Sequence, residues 1–173
     1  MAAPTTSEPR LTSRGDLTAE RFAAPADTGR QIMYWLSMAA IYVIQGGLWY
    51  YAAEEKIIGG DLQAPAGIEK AFADSFVATF PGTGFAWALI SIAEAAIVIA
   101  LAVSLIRGEF LPSRGKPILL GTLAGSLVVL GALLFGQSMI AEHDSVAQLF
   151  SYAAGTIVTM GAVIYLSPAV STR

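Results

Sequence analysis

Residues 84–106 read GFAWALISIAEAAIVIALAVSLI, and Glu94 is the sole charge among these 23 residues. At 1.5 Å per residue a helix of this length is ~35 Å long, enough to cross the ~30 Å hydrocarbon core of a bilayer with some tilt. Its apolar residues occupy every face, as in a helix surrounded by lipid. A strand of a membrane barrel would instead alternate polar and apolar over segments of ~10 residues. In lipid each segment must satisfy its own backbone, which a helix does and a lone strand does not.

Three further runs of the same kind occur at 32–53, 117–140 and 146–166. Hydrophobic residues make up 55% of the chain and charged residues 13%, with a mean hydropathy of +0.61. Soluble domains carry roughly 25% charged residues, so this chain lacks the material for a water-facing coat. The sequence therefore predicts an all-α polytopic membrane four-helix bundle over 31–167. Residues 1–30 mix Ala, Pro, Ser and Thr with Arg10, Arg14, Arg21 and Arg30 and are expected to be a disordered tail. A second tail is expected at 168–173. No signal-peptide pattern precedes the first apolar run, which begins near Ile32.

Charge sets the expected orientation. With the N-terminus inside, the cytoplasmic segments hold Arg10, Arg14, Arg21, Arg30, Arg107, Arg114, Lys116 and Arg173, and the external ones only Lys56 and Lys70. This asymmetry predicts both termini in the cytoplasm and a multi-pass protein of the plasma (cell inner) membrane. Trp35, Trp49, Trp87, Tyr50, Tyr51 and Tyr165 lie near span ends, where interfacial aromatic belts form. The first external connection, 54–83, is long. In it Ile68, Phe72, Phe76 and Phe80 recur every four residues. That period predicts a short amphipathic helix with an apolar face for the membrane surface.

Composition excludes several chemistries. There is no cysteine and one histidine, His143, in an external turn. Disulfides, thiolate metal sites, iron–sulfur clusters and bis-histidine haem are not available to this chain alone, and no metal site is expected. No phosphate loop, dinucleotide fingerprint or hydrolytic triad is present. A net charge of −3 offers nothing to nucleic acid.

The residues that carry chemistry lie inside the spans. Glu94 sits near the membrane centre, where an ionised carboxylate costs roughly 2.5–3.5 kcal/mol by insertion scales. It must be protonated, paired or facing a wet cavity. One reading is a proton-handling or ligand-binding carboxyl; the other is a hydrogen bond that pins two helices. Gln45, Gln137, Lys56, Glu54 and Glu55 are the candidate partners, in a polar pocket opening outward. Gly121 and Gly125 form a GxxxG pair, read first as close helix packing within the bundle.

These features together resemble the DoxX-like family of small four-helix membrane proteins, which includes the membrane subunit of a thiosulfate:quinone oxidoreductase. The resemblance rests on Ala52-Ala53-Glu54-Glu55-Lys56-Ile57-Ile58-Gly59 at the end of the first span and on Glu94 inside the second. The sequence departs from the pattern at Ala53, Ala95 and Ala96, where the family favours glycine. The resemblance implies an accessory or anchoring subunit of a membrane oxidoreductase or respiratory complex. It implies contact with a quinone, no cofactor bound by this chain alone, and partners among lipids and other membrane subunits or copies of itself. Two other functions fit the residues. One is a small oligomeric transporter or permease built on the intramembrane carboxyl; the other is a non-catalytic envelope-organising protein.

Overall fold

The computed structural model describes the backbone of residues 14–60 and 62–167, with side chains from Thr28 onward. Every regular element among the described residues is a helix: α1 (Arg14–Ile57), α2 (Ala66–Phe72), α3 (Phe76–Thr79), α4 (Thr83–Ile106), α5 (Pro117–Met139) and α6 (His143–Leu166). Four of them hold spans long and apolar enough to cross a membrane: Thr28–Ile57, Thr83–Ile106, Pro117–Met139 and His143–Leu166. The chain divides into two compact units, up to Leu36 and from Ser37 onward. The helical bundle belongs to the second.

Its polarity is that of a protein in lipid. Gln45, Ser91, Glu94, Ser104, Thr122, Ser126 and Thr156 are buried. Val43, Ile44, Leu89, Ile92, Ile99, Val128, Phe135, Val158 and Ile164 are exposed. A water-soluble bundle would place these two sets the other way round. The chain is thus an integral, multi-pass membrane protein. Between the polar groups, Met38, Trp49, Leu119, Leu123, Leu130 and Val163 fill the interior. Apart from Ser104, the buried serines and threonines donate to carbonyls of their own helices. Ser91 donates to Trp87 O, Thr122 to Ile118 O, Ser126 to Thr122 O and Thr156 to Tyr152 O.

Several boundaries differ from the sequence reading. Helix α1 begins at Arg14 and runs unbroken into the first span, so part of the expected 1–30 tail is helical. Extending a helix costs far less than nucleating one, and Ala19, Ala23, Ala24 and Ala26 are good helix formers. The rest of that tail, 1–13, and the tail at 168–173 lie outside the described residues. Helix α5 opens with Pro117 in its first turn, where a missing N–H costs nothing. Helix α6 begins at His143, three residues earlier than expected, with Asp144 in its first turn facing the positive end of the helix dipole.

The amphipathic segment is broken in two. Ser75 adopts an extended backbone, and its Oγ donates to Phe72 O at 2.7 Å. This bond ends α2 and competes with helix continuation, a known habit of serine. The expected common face of Ile68, Phe72, Phe76 and Phe80 is split accordingly. Phe72 turns into the bundle, its ring 3.5 Å from where a Cβ on Gly136 would lie. Phe76 and Phe80 stay exposed.

Close packing at the GxxxG pair is also absent. A Cβ on Gly121 or Gly125 would meet nothing within 4 Å. The two glycines line an open groove between α4 and α5, with Ala93, Ala96 and Ala100 opposite. With small residues on both walls, neither helix fills the space.

Candidate functional site

Helix periodicity brings the intramembrane charges together. On α1, Gln45, Trp49, Ala53 and Lys56 follow one another at three- and four-residue steps and so share a face. On α4, Trp87, Ser91 and Glu94 do the same. The two faces meet. Lys56 Nζ lies 2.5 Å from Glu94 Oε1, and 5.0 Å from the centre of the Trp87 ring. The Glu94 side chain is 1% exposed and that of Lys56 12%. The long lysine stem, rooted in the last turn of α1, thus points into the bundle rather than out to solvent.

This arrangement answers the desolvation problem that Glu94 poses. A buried carboxylate is tolerated when an opposite charge and hydrogen bonds replace its water. Lys56 supplies the charge, and the electron-rich face of Trp87 adds a cation–π contact to the ammonium. Only one carboxylate oxygen is served, however: Glu94 Oε2 is buried without a partner. Gln45 Oε1, Trp49 Nε1 and Trp87 Nε1 share that condition. Gln45 Nε2 does have a partner, Thr156 Oγ1 on α6 at 3.5 Å.

The remaining sequence candidates separate from this centre. Glu55 is exposed, one position and about 100° round the helix from Lys56. Gln137 lies on α5 and lines a different space, a mainly apolar cavity of ≈ 250 Å³ bounded by α2, α4, α5 and the α3 region. Ile68, Phe72 and Trp87 also line it. Trp87 is therefore shared, covering the Lys56 ammonium and walling the cavity. Phe76 packs against Phe135 at a tilt of 53°, with ring centroids 6.4 Å apart. His143 is exposed, and among the described residues no cluster of His, Asp and Glu is placed to hold a metal ion.

A second polar cluster, which sequence reading missed, lies at the other end of α4. There a left-handed Gly108 (φ 71°) closes the helix: Gly108 N–H bonds Leu105 O and Glu109 N–H bonds Ser104 O. This is the Schellman arrangement, and glycine fits it without steric cost. The reversal sends Glu109 back against the start of α5. Its carboxylate accepts from Ile118 N at 3.0 Å, Leu119 N at 2.7 Å and Ser104 Oγ at 3.0 Å. Two otherwise orphaned N–H groups of α5 are thereby capped by a negative charge. Tyr42 of α1 joins through a 2.7 Å contact to Ser104 Oγ. Lys116 is buried beside them and bonds Leu111 O and Arg114 O. Burial pulls the Lys116 pKa down from its ordinary value, and the Glu109 charge opposes that shift.

In sequence Glu109 reads as one charge among several in a basic connection. Gly108, just past the end of an apolar run, was the available signal. Trp49 also departs from expectation. It is 2% exposed and sits inside the bundle rather than in an interfacial belt. Its position on the Gln45–Lys56 face marked it out. Compared with known proteins, the chain matches no family model, no curated protein and no solved structure.

Proposed function

We infer that the chain serves as an accessory or anchoring subunit of a membrane oxidoreductase, akin to the DoxX-like four-helix proteins. One observation carries this reading. Lys56 and Glu94, the two residues on which the resemblance rests, are 38 positions apart in sequence and form a buried ion pair. A charged pair in the hydrocarbon region is expensive, and such residues mark functional sites in membrane proteins. The chain has no cysteine for an iron–sulfur cluster and a single histidine, which rules out bis-histidine haem, and in this reading electrons enter through a partner subunit.

A quinone suits the adjoining cavity. Phe72, Val77, Ile90 and Leu133 offer apolar walls for its ring and tail, and Gln137 and Trp87 bring hydrogen-bonding groups to the same space. Pockets of this composition, mostly apolar with a few polar groups, hold lipophilic ligands. A quinone there would supply two-electron chemistry; this chain's part is to seat it. In this reading the basic ends of the spans face the cytoplasm and the protein resides in the plasma membrane.

Extraction in mild detergent tests the proposal. The chain should migrate with a redox-active partner, and migration alone, with no such partner, overturns it. A second reading, an oligomeric transporter, draws on α6, where only Thr156 and Val163 are buried. That helix leaves most of its surface for a neighbouring copy. Substrate uptake into proteoliposomes that is indifferent to Glu94→Gln removes this alternative.

A further inference from the structure

The two polar clusters are connected. On α1, Tyr42, Gln45, Trp49 and Lys56 lie on one face, separated by three, four and seven residues, with Ala53 between the last two. Helices α1 and α4 run antiparallel, since Tyr42 meets Ser104 while Lys56, further along α1, meets the earlier Glu94. Trp49 and Gln45 therefore fall between the Glu94 and Ser104 levels. From Trp49 through Gln45 to Tyr42 the polar groups descend by about one helical turn, ~5 Å, at each step, while Lys56 is rooted two turns, ~10 Å, beyond Trp49 and reaches back to Glu94. The order is Lys56 with Glu94, then Trp49, then Gln45 with Thr156, then Tyr42 with Ser104, and last Glu109.

The two ends of this series are bonded protein to protein, while between them the Gln45–Thr156 bond leaves several polar atoms unserved. Gln45 Oε1, Trp49 Nε1 and Glu94 Oε2 are buried with no protein partner. Buried polar atoms in proteins are hydrogen-bonded almost without exception, and internal water commonly completes them. Two acceptors and a donor on consecutive turns suit a short file of water between Glu94 and Gln45. At the far end the hydroxyl directions follow from counting protons. Ser104 has one hydroxyl hydrogen and gives it to Glu109 Oε2. The Tyr42–Ser104 contact must then be donated by Tyr42.

We propose that this face of α1 is a proton path through the bundle, with Glu94 as its exchanging carboxyl and Tyr42, Ser104 and Glu109 as its relay to the opposite end. Lys56 passes an ammonium proton to the Glu94 carboxylate and is reprotonated by water at its own end of the bundle; the Glu94 carboxyl then gives that proton to the water file, breaking one O–H bond as another forms. Tyr42 takes a proton from the file and passes its own to Ser104. Ser104 passes its own to the Glu109 carboxylate, which releases it at the α4–α5 connection. No electron moves, and the path runs equally in reverse. Glu94 faces Lys56, and Glu109 faces Lys116, Tyr42 and the first N–H groups of α5. Helix α5 carries no acid or base, and α6 has only His143, Asp144, Tyr152 and Tyr165.

The proposal needs no redox partner and stands apart from the oxidoreductase reading. The test places the full chain in liposomes that trap a pH-sensitive dye, with a potassium gradient and valinomycin setting the potential. Proton flux should exceed that of protein-free liposomes. It should fall to that baseline in Glu94→Gln, and also in Gln45→Leu and Tyr42→Phe, which leave the ion pair in place. Helix content by circular dichroism confirms that each variant is folded. Wild-type liposomes as proton-tight as empty ones overturn the proposal. So does flux unchanged by Gln45→Leu and Tyr42→Phe, or sodium passing as fast as protons.

Discussion

Replacing Lys56 with Met removes the one counter-charge of a carboxylate that is 1% exposed. Glu94 Oε2 already lacks a partner, so the variant leaves both carboxylate oxygens unserved. Breaking a buried ion pair from one side costs about 3–5 kcal/mol, most of it the penalty of the stranded charge. The converse change is milder. In Glu94→Gln the ammonium stays on a long stem in the last turn of α1, where it can turn outward to water. Its cost should be about 1–2 kcal/mol, the scale of a lost hydrogen bond. Removing both charges with Lys56→Met and Glu94→Leu should restore stability to within ~1 kcal/mol of wild type, since no charge remains to be desolvated. Unfolding in mixed micelles with rising SDS, followed by circular dichroism, measures all three. The reasoning is refuted if the double variant is no more stable than Lys56→Met, because the loss would then come from packing and not from an unpaired charge.

Three other outcomes follow from the same structure. Glu109→Ala strips the acceptor from Ile118 N, Leu119 N and Ser104 Oγ and should cost at least about 2 kcal/mol in the same unfolding assay. Gly121→Ala and Gly125→Ala should each stabilise by ~0.5–1 kcal/mol, since a Cβ there meets nothing and alanine is the better helix former; a loss of stability would restore the close-packing reading. Lys116 is the basis of a pH effect. Its folded pKa lies below its unfolded value, so the unfolded chain binds the proton more tightly. Stability should rise with pH from the lowered folded value up to ~10.4, the ordinary lysine value. In melting curves across that range, Lys116→Met should flatten the rise relative to wild type.

The spans were legible because lipid imposes a rule that any 20-residue window reveals. Stretches such as 84–106 and 117–139 carry too few polar residues to coat a face with water and have no alternative to helix in lipid. Glu94 and Lys56 were legible as candidates for the same reason, because a charge in or beside an apolar run has to be explained. Ser75 and Glu109 were harder. Ser75 interrupts a four-residue apolar period with one local hydrogen bond, and the period alone carries no sign of it. Glu109 is one of several charges beside a helix end. Its importance comes from a chain reversal at Gly108 that aims it at α5.

By itself, the sequence determined the class of solvent, the secondary structure and the set of residues that lipid would not leave unpaired. Those properties depend on composition and period, which are local. The tertiary structure decided the partners. Lys56 could reach up or down, Gln45 and Gln137 had equal claims on Glu94, and Trp49 could have sat in an interfacial belt. Each choice turns on which helix faces which, and at what register. Antiparallel packing of α1 on α4 joined Lys56 to Glu94 and Tyr42 to Ser104 in one alignment, and it left Gln137 to a separate cavity. Contacts between residues 38 and 62 positions apart depend on how the helices pack, which the period of neither helix contains.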